Sequence, residues 1–199
     1  MEKPILFSTE MVKAILENRK HVTRRIVKPH RKAVIENIWI DKEDGQVVVV
    51  YDDNYHIGEK GYIKPPYAVG NVLWVRETWQ LLPSGFNEMP PEERYIYKAT
   101  DELSNECTKW RPSIHMPRKA ARLFPKVKSI RVERLRDITE EDAIAEGFIS
   151  TAELTPDGSD YKGLYAREHF RELWDGIYKS QGYGWEQSPY VWVVEFEKA

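Results

Sequence analysis

Apolar and polar positions along this chain repeat at two different periods, and the switches between them mark out its elements. Residues 9–20, "TEMVKAILENRK", place Val12, Ile15 and Leu16 on one helical face, with Ser8 ahead of them to cap the exposed amides. Phe7 and Val12 stand at the two positions of a hydrophobic staple, which sets how the chain enters that helix. From His21 the period drops to two. Val22, Arg24 and Ile26 alternate with His21, Thr23 and Arg25 as on a strand, which Pro29 ends. Further strands are expected over 46–51, 71–79, 94–99, 126–135 and 190–197, each short and rich in β-branched or aromatic residues. Two more helices are expected, over 138–147 and over 164–178, where Tyr165, Phe170, Leu173 and Trp174 approximate an apolar stripe.

Strands outnumber helices and do not alternate regularly with them. That order argues against a doubly wound parallel sheet and predicts an α+β fold, a small β-barrel with short flanking helices. At 199 residues the chain reads as a single domain over 1–199. Its long loops are expected near 52–70, 80–93, 100–115 and 150–162, where Gly, Pro, Asn and acids gather.

Charged residues make up 31% of the sequence, and no apolar run approaches the roughly 18 residues of a membrane span, so no membrane partner is expected. There is no basic-then-apolar leader, and the single cysteine, Cys107, has no internal disulfide partner; a cytoplasmic location is the expectation. His21, His30, His56, His115 and His169 are scattered, with no pair at zinc spacing, and no phosphate-binding glycine motif or Gly-x-Ser-x-Gly elbow occurs. Neither a metal nor a cofactor is expected.

A net charge of -2 conceals a strong local pattern. Seven Lys or Arg and no acid lie between Arg19 and Lys32; eight against Glu133 alone lie between Met116 and Arg136; eight acids and no Lys or Arg lie between Asp137 and Asp160. Basic blocks of this kind neutralise phosphates and release counterions, so nucleic acid is one reading. Solvated faces that pair with each other are the other.

The first basic block surrounds a hydroxyl. In "ENRKHVTRR", Lys20 is a candidate base for Thr23, provided its pKa is lowered by burial or by the neighbouring cations Arg19, Arg24 and Arg25. Its place after a helix C-terminus works the other way, since that end favours the protonated amine. Glu146 sits in the last turn of the 138–147 helix, where the same end opposes a carboxylate, as a general acid requires; an ordinary exposed Glu is the alternative. In "VLWVRETWQ", Val72, Trp74, Arg76 and Thr78 face one way and Leu73, Val75, Glu77 and Trp79 the other. Trp74 and Trp79 beside these charges are either stacking platforms for a base or core. His115, between Pro112 and Pro117, and Arg118 directly after them line a pocket or form a packed corner.

The segments "KPILFSTEMVKAILENRKHVTRR", "VGNVLWVRETW", "PSIHMPRKAARL", "VERLRDITEEDAIAEG" and "FRELWDGI…GYGWEQSPYVWVVEF", in this order, resemble the ASCH-domain family of the PUA-like superfamily, in the longer form common in bacteriophage and prophage genomes. The resemblance implies a barrel with short helices around a pocket, related to domains that bind RNA or read modified bases. A much shorter bacterial member removes the acetyl group of N(4)-acetylcytidine with a Lys-x-x-Thr-x-Arg pattern and a downstream glutamate. Lys20, Thr23 and Arg25 stand at that spacing, and Glu146 lies eight residues after Ile138 of "ITE". By resemblance, Lys20 is the general base, Thr23 the nucleophile or the group that orients water, Glu146 the proton donor and Arg25 an anchor for substrate or oxyanion. Arg24, Trp74, Arg76, Glu77, Trp79, His115 and Arg118 complete the expected binding set. Asn18, where the family usually has glycine, and Asn71, where it often has Asp, depart from the pattern.

The expected function is therefore recognition of a modified pyrimidine nucleoside or RNA base in a basic pocket, with amide hydrolysis as the implied activity. The competing expectation is a non-catalytic module for RNA or single-stranded DNA. A third is a protein-interaction role through the acidic 137–160 segment.

Overall fold

The computed structural model describes residues 1–28, 34–40, 47–52, 59–82, 90, 94–100, 109–151, 153–154 and 161–198. Parts of all four expected loop segments, and the Pro29 strand end, lie outside these residues.

The central sheet has five strands in the order β1 (Glu2–Leu6), β6 (Val72–Arg76), β9 (Lys126–Arg134), β12 (Tyr190–Glu197), β2 (Val22–Ile26). Only β1 and β6 run parallel; the other neighbours are antiparallel. Three strands, β3 (Val34–Ile40), β4 (Val47–Asp52) and β5 (Glu59–Tyr62), form an antiparallel meander, while β7 (Trp79–Leu81) with β8 (Tyr95–Tyr97) and β10 (Glu153–Leu154) with β11 (Tyr161–Lys162) make two small ribbons. The α-helices are α1 (Thr9–Leu16), α2 (Glu140–Ala145) and α3 (Ala166–Tyr178). The fold is α+β with a mostly antiparallel sheet.

Among the described residues the expected barrel is not closed. The sheet stays open between its edge strands, β1 and β2, and the reason lies in β1. The Met1 carbonyl and the Phe7 N–H face β6, so Pro4 and Leu6 face the outer edge. Pro4 offers no N–H there. The Tyr67 hydroxyl donates to the Pro4 carbonyl at 3.2 Å, and Arg25 donates to the Leu6 carbonyl at 3.0 Å. Two of the outward carbonyls that a further strand would use are thus already taken by side chains.

Both faces of this sheet are buried. On one, Phe7, Val12 and Ile15 pack against Leu73, Val75, Trp192 and Val194; on the other, α2 and α3 contribute Ala143, Phe170 and Trp174 against Val191 and Val193. The helix after Phe7 begins as its sequence requires, with Ser8 Oγ accepting from the Met11 N–H at 3.3 Å. It ends at Leu16 rather than at Lys20, because Asn18 takes a positive φ of 58° and turns the chain back. Asparagine tolerates that left-handed conformation, so it serves where a glycine would.

The strand expected over 71–79 divides at Glu77–Thr78 into β6 and β7, which belong to different sheets. Burial still alternates through the break: Leu73, Val75, Glu77 and Trp79 are buried, and Trp74, Arg76 and Thr78 are half-buried. No helix among the described residues is long and apolar enough to cross a membrane.

Candidate active site

The turn after α1 and the end of α2 meet in a short antiparallel bridge between Lys20 and Glu146. Their approach depends on Gly147. Its φ is 100°, and a Cβ there would stand 2.7 Å from the Ala14 Cβ and 3.1 Å from the Lys20 Cβ. With no side chain in the way, the two backbones close and carry both charged groups indoors.

Lys20, Thr23, Arg24, Glu77 and Glu146 are the buried polar or charged side chains among the described residues, each 3% exposed or less. Burying charges without partners is costly, so the arrangement of partners is informative. Lys20 Nζ donates to Glu146 Oε2 at 2.7 Å, to the Val22 carbonyl at 2.8 Å and to the Glu146 carbonyl at 2.9 Å. Burial pushes the Lys20 amine below its ordinary pKa, with Arg25 and Arg24 acting in the same direction and Glu146 opposing. The amine also lies 5.4 Å from the centre of the Phe7 ring.

Arg24 is committed to carboxylates. It reaches Glu133 at 2.6 Å, Asp142 at 2.9 Å and Glu146 at 3.3 Å, and Arg131 closes the network onto Glu133 and Asp142. Three cations thus face three anions, counting Lys20, Arg24 and Arg131 against Glu133, Asp142 and Glu146. Placed in the expected binding set, Arg24 instead holds Glu146 in position, because its guanidinium is spent on these acids.

Thr23 breaks the pattern of satisfied groups. It lies within β2 opposite Val194, 1% exposed, and its Oγ1 has no hydrogen-bond partner. Lys20 therefore does not hydrogen-bond it. Thr23 lines a slot of about 30 Å3 with Glu146, Arg24 and Arg25, walled by Phe148, Phe170, Trp174 and Tyr178. Such a volume has room for about one or two waters but not for a nucleoside.

The slot adjoins a larger groove. Arg25, Met11, Leu173, Ile177 and Tyr178 line both, and the groove, about 520 Å3, continues past Phe7, Tyr67, Arg76 and Thr78. This is within the range of small-molecule sites. Thr78 shares a strand face with Arg76 and so was visible from the alternation of the sequence. Tyr67, Leu173, Ile177 and Tyr178 carried no sequence signal of a site, since only tertiary packing brings them to it.

The remaining candidates lie elsewhere. Glu77 is fully buried and bidentate with Arg122, both bonds 2.9 Å, and Arg122 lies 3.9 Å over the Tyr97 ring. Trp79 is core, packed with Met116, Ala120 and Tyr95, which leaves no face for a base. Trp74 is half-buried beneath the Arg76 guanidinium at 5.5 Å. Arg118 is exposed and bidentate with Glu2 at 2.6 and 2.7 Å, and His115 is exposed in a 3-10 turn, Ser113–His115. Among the described residues no group of three or more His, Cys, Asp or Glu side chains is arranged to hold a metal ion.

No protein-family model, curated protein or solved structure matches this chain.

Proposed function

We propose that this chain is an ASCH-domain protein of the PUA-like superfamily whose groove admits an acylated pyrimidine nucleoside and whose slot hydrolyses its exocyclic amide, with N(4)-acetylcytidine as the representative substrate. One observation carries the reading: the buried Thr23 hydroxyl lacks a partner and shares its slot with the carboxylate of a buried Lys–Glu pair. A buried unpaired hydroxyl costs about 1–3 kcal/mol, and such a cost is expected where the group is kept for a ligand.

The geometry favours Thr23 as the group that orients water, since no base contacts it. A water in the slot, held by Thr23 Oγ1, attacks the acyl carbon and gives its proton to the Lys20–Glu146 pair. Moving the bridging proton between Nζ and Oε2, 2.7 Å apart, converts ammonium and carboxylate into amine and acid, and burial lowers the cost of that neutral form by disfavouring the ammonium. The pair then protonates the exocyclic nitrogen as the C–N bond breaks. Water and amide become carboxylic acid and amine, with no other reactant. Arg25, free of carboxylates among the described residues, anchors the substrate at the mouth of the slot.

The test is release of cytidine from N(4)-acetylcytidine by the wild type and by Thr23→Val and Glu146→Gln. Loss in both variants with folding intact supports the proposal. No release by the wild type sinks the hydrolase. The second reading, a binding module for RNA or single-stranded DNA, is favoured by the full satisfaction of the Lys20 amine, whose three donors already have acceptors. Its signature is salt-sensitive binding of RNA without product.

A further inference from the structure

The groove contains two guanidinium groups and no acid. Among its lining residues, Arg25 and Arg76 are the charged ones, and neither has a carboxylate within ion-pairing distance among the described residues. Elsewhere Arg24, Arg118, Arg122, Arg131 and Arg136 carry Glu or Asp partners, while Arg111, Arg134 and Arg167 donate to neutral amide or carbonyl oxygens. What sets Arg25 and Arg76 apart is that two cations without carboxylates share one concave site, which suits an anion.

The two groups are aimed. Arg25 donates to the Leu6 carbonyl and lies 5.5 Å over the Phe7 ring, while Arg76 is the register partner of Leu6, accepts the Phe7 N–H with its carbonyl at 3.1 Å and lies over Trp74. Both thus flank the same dipeptide, Leu6–Phe7, each held on an aromatic face. Arg25 spends two of its N–H groups on the Leu6 and Arg24 carbonyls, and Arg76 spends one on the Ile114 carbonyl, while its Nε is buried without a partner. A guanidinium has five N–H donors, so most remain for a ligand. Ser8, the cap at the positive end of α1, lines the same groove with Thr78 and Ser113. The lining also includes the apolar residues Met11, Leu173 and Ile177. Cationic and apolar lining in one groove suits a nucleotide, which joins an anion to a flat base.

Resting on the reading of the groove as the substrate entrance, we infer that Arg25 and Arg76 together bind a phosphate attached to the substrate, so that the chain prefers a nucleotide, free or within an RNA strand, over the bare nucleoside. Forked donors suit phosphate oxygens better than any neutral group of a sugar.

Calorimetric titration with cytidine, cytidine 5′-monophosphate and a pentaribonucleotide with a central cytidine tests this, in the wild type and in Arg76→Gln, a half-exposed position. The expected result is that one phosphate-bearing probe binds at least about tenfold tighter than cytidine. The ratio then falls toward one in Arg76→Gln and is restored in part by Arg76→Lys. Tighter binding of the monophosphate assigns a terminal phosphate, and tighter binding of the pentamer assigns the strand. Equal affinity for all three in the wild type, or a ratio unmoved by Arg76→Gln, overturns the inference. Phosphate preference without hydrolysis of any acetylated probe leaves the anion site standing and removes the hydrolase; hydrolysis without phosphate preference does the reverse.

Discussion

Two buried glutamates, alike in burial and in pairing with cations, differ in what lies next to them. Glu77 and Glu146 are 1% and 3% exposed, and each is paired with a cation. Glu77 gives both oxygens to one guanidinium, Arg122, and lines neither the slot nor the groove. Glu146 splits its oxygens between Lys20 and Arg24, and it borders a slot with an unpaired hydroxyl. Burial and charge pairing alone do not separate structural ion pairs from working ones. What separates them is whether polar groups remain unsatisfied next to space.

The largest effect that tests this difference is on turnover. Glu146→Gln keeps the shape but removes the proton-transfer group, so hydrolysis of the acetylated nucleoside is expected to fall about 10²–10⁴-fold with KM little changed. Steady-state kinetics on protein checked for folding by circular dichroism decides it; a variant with wild-type turnover would place Glu146 with Glu77 among the structural pairs.

Next in size is Glu77→Gln. Breaking a buried pair by removing one partner costs about 3–5 kcal/mol, toward the lower end here because Arg122 retains 26% side-chain exposure. Denaturant unfolding should show that loss, while turnover per folded molecule holds. A fall in kcat without a fall in stability would reverse the assignment of the two glutamates.

Thr23→Val is expected to move stability and activity in opposite directions. Valine has the same shape without the orphan hydroxyl, so stability should rise by about 1 kcal/mol or more as activity drops. Chemical unfolding of wild type and variant measures it. A destabilised variant would mean that the hydroxyl has a partner in solution and that the slot is not kept open for a ligand.

The sequence made some of this legible and hid the rest for identifiable reasons. Period-two alternation placed Thr23 with Arg25 and Arg76 with Thr78, because a strand dictates faces locally. The cap at Ser8 and the staple of Phe7 and Val12 are local too, and they are found as the pattern requires. β1 escaped notice because "EKPIL" is short and holds a proline, which an edge strand accepts on its open side. The meander strands β3 and β5, the latter inside an expected loop, were equally unmarked. Closure of the barrel was expected from strand number, but it turns on which side chains occupy the β1 edge, a tertiary fact. The same holds for charge: Arg24 and Arg25 are neighbours with opposite fates, since only Arg24 faces the acids of α2 and β9. The basic block could not say which of its members would be neutralised.

The smallest effect is the one most specific to the Lys20–Glu146 region. Lys20 is the buried amine of the comparison, and its pKa in the folded chain lies below the ordinary lysine value. Between the folded and unfolded pKa values the unfolded chain holds a proton that the folded chain lacks, so stability rises with pH across that window, by at most about 1.4 kcal/mol per pH unit. Below the folded pKa both states are protonated and the contribution is flat, with the full penalty of the buried ammonium present. Tyr67 and Tyr97, whose pKa values burial raises, act oppositely once pH passes the ordinary tyrosine value. Wild type alone would therefore mix the two slopes. Lys20→Met removes the amine and leaves both tyrosines, so the difference in unfolding free energy between wild type and variant, followed upward from neutral pH, isolates the lysine. That difference should shift in favour of the wild type as pH rises toward the ordinary lysine range. A difference independent of pH would mean that the amine titrates as an exposed lysine does, and the proton relay through Glu146 would lose its base.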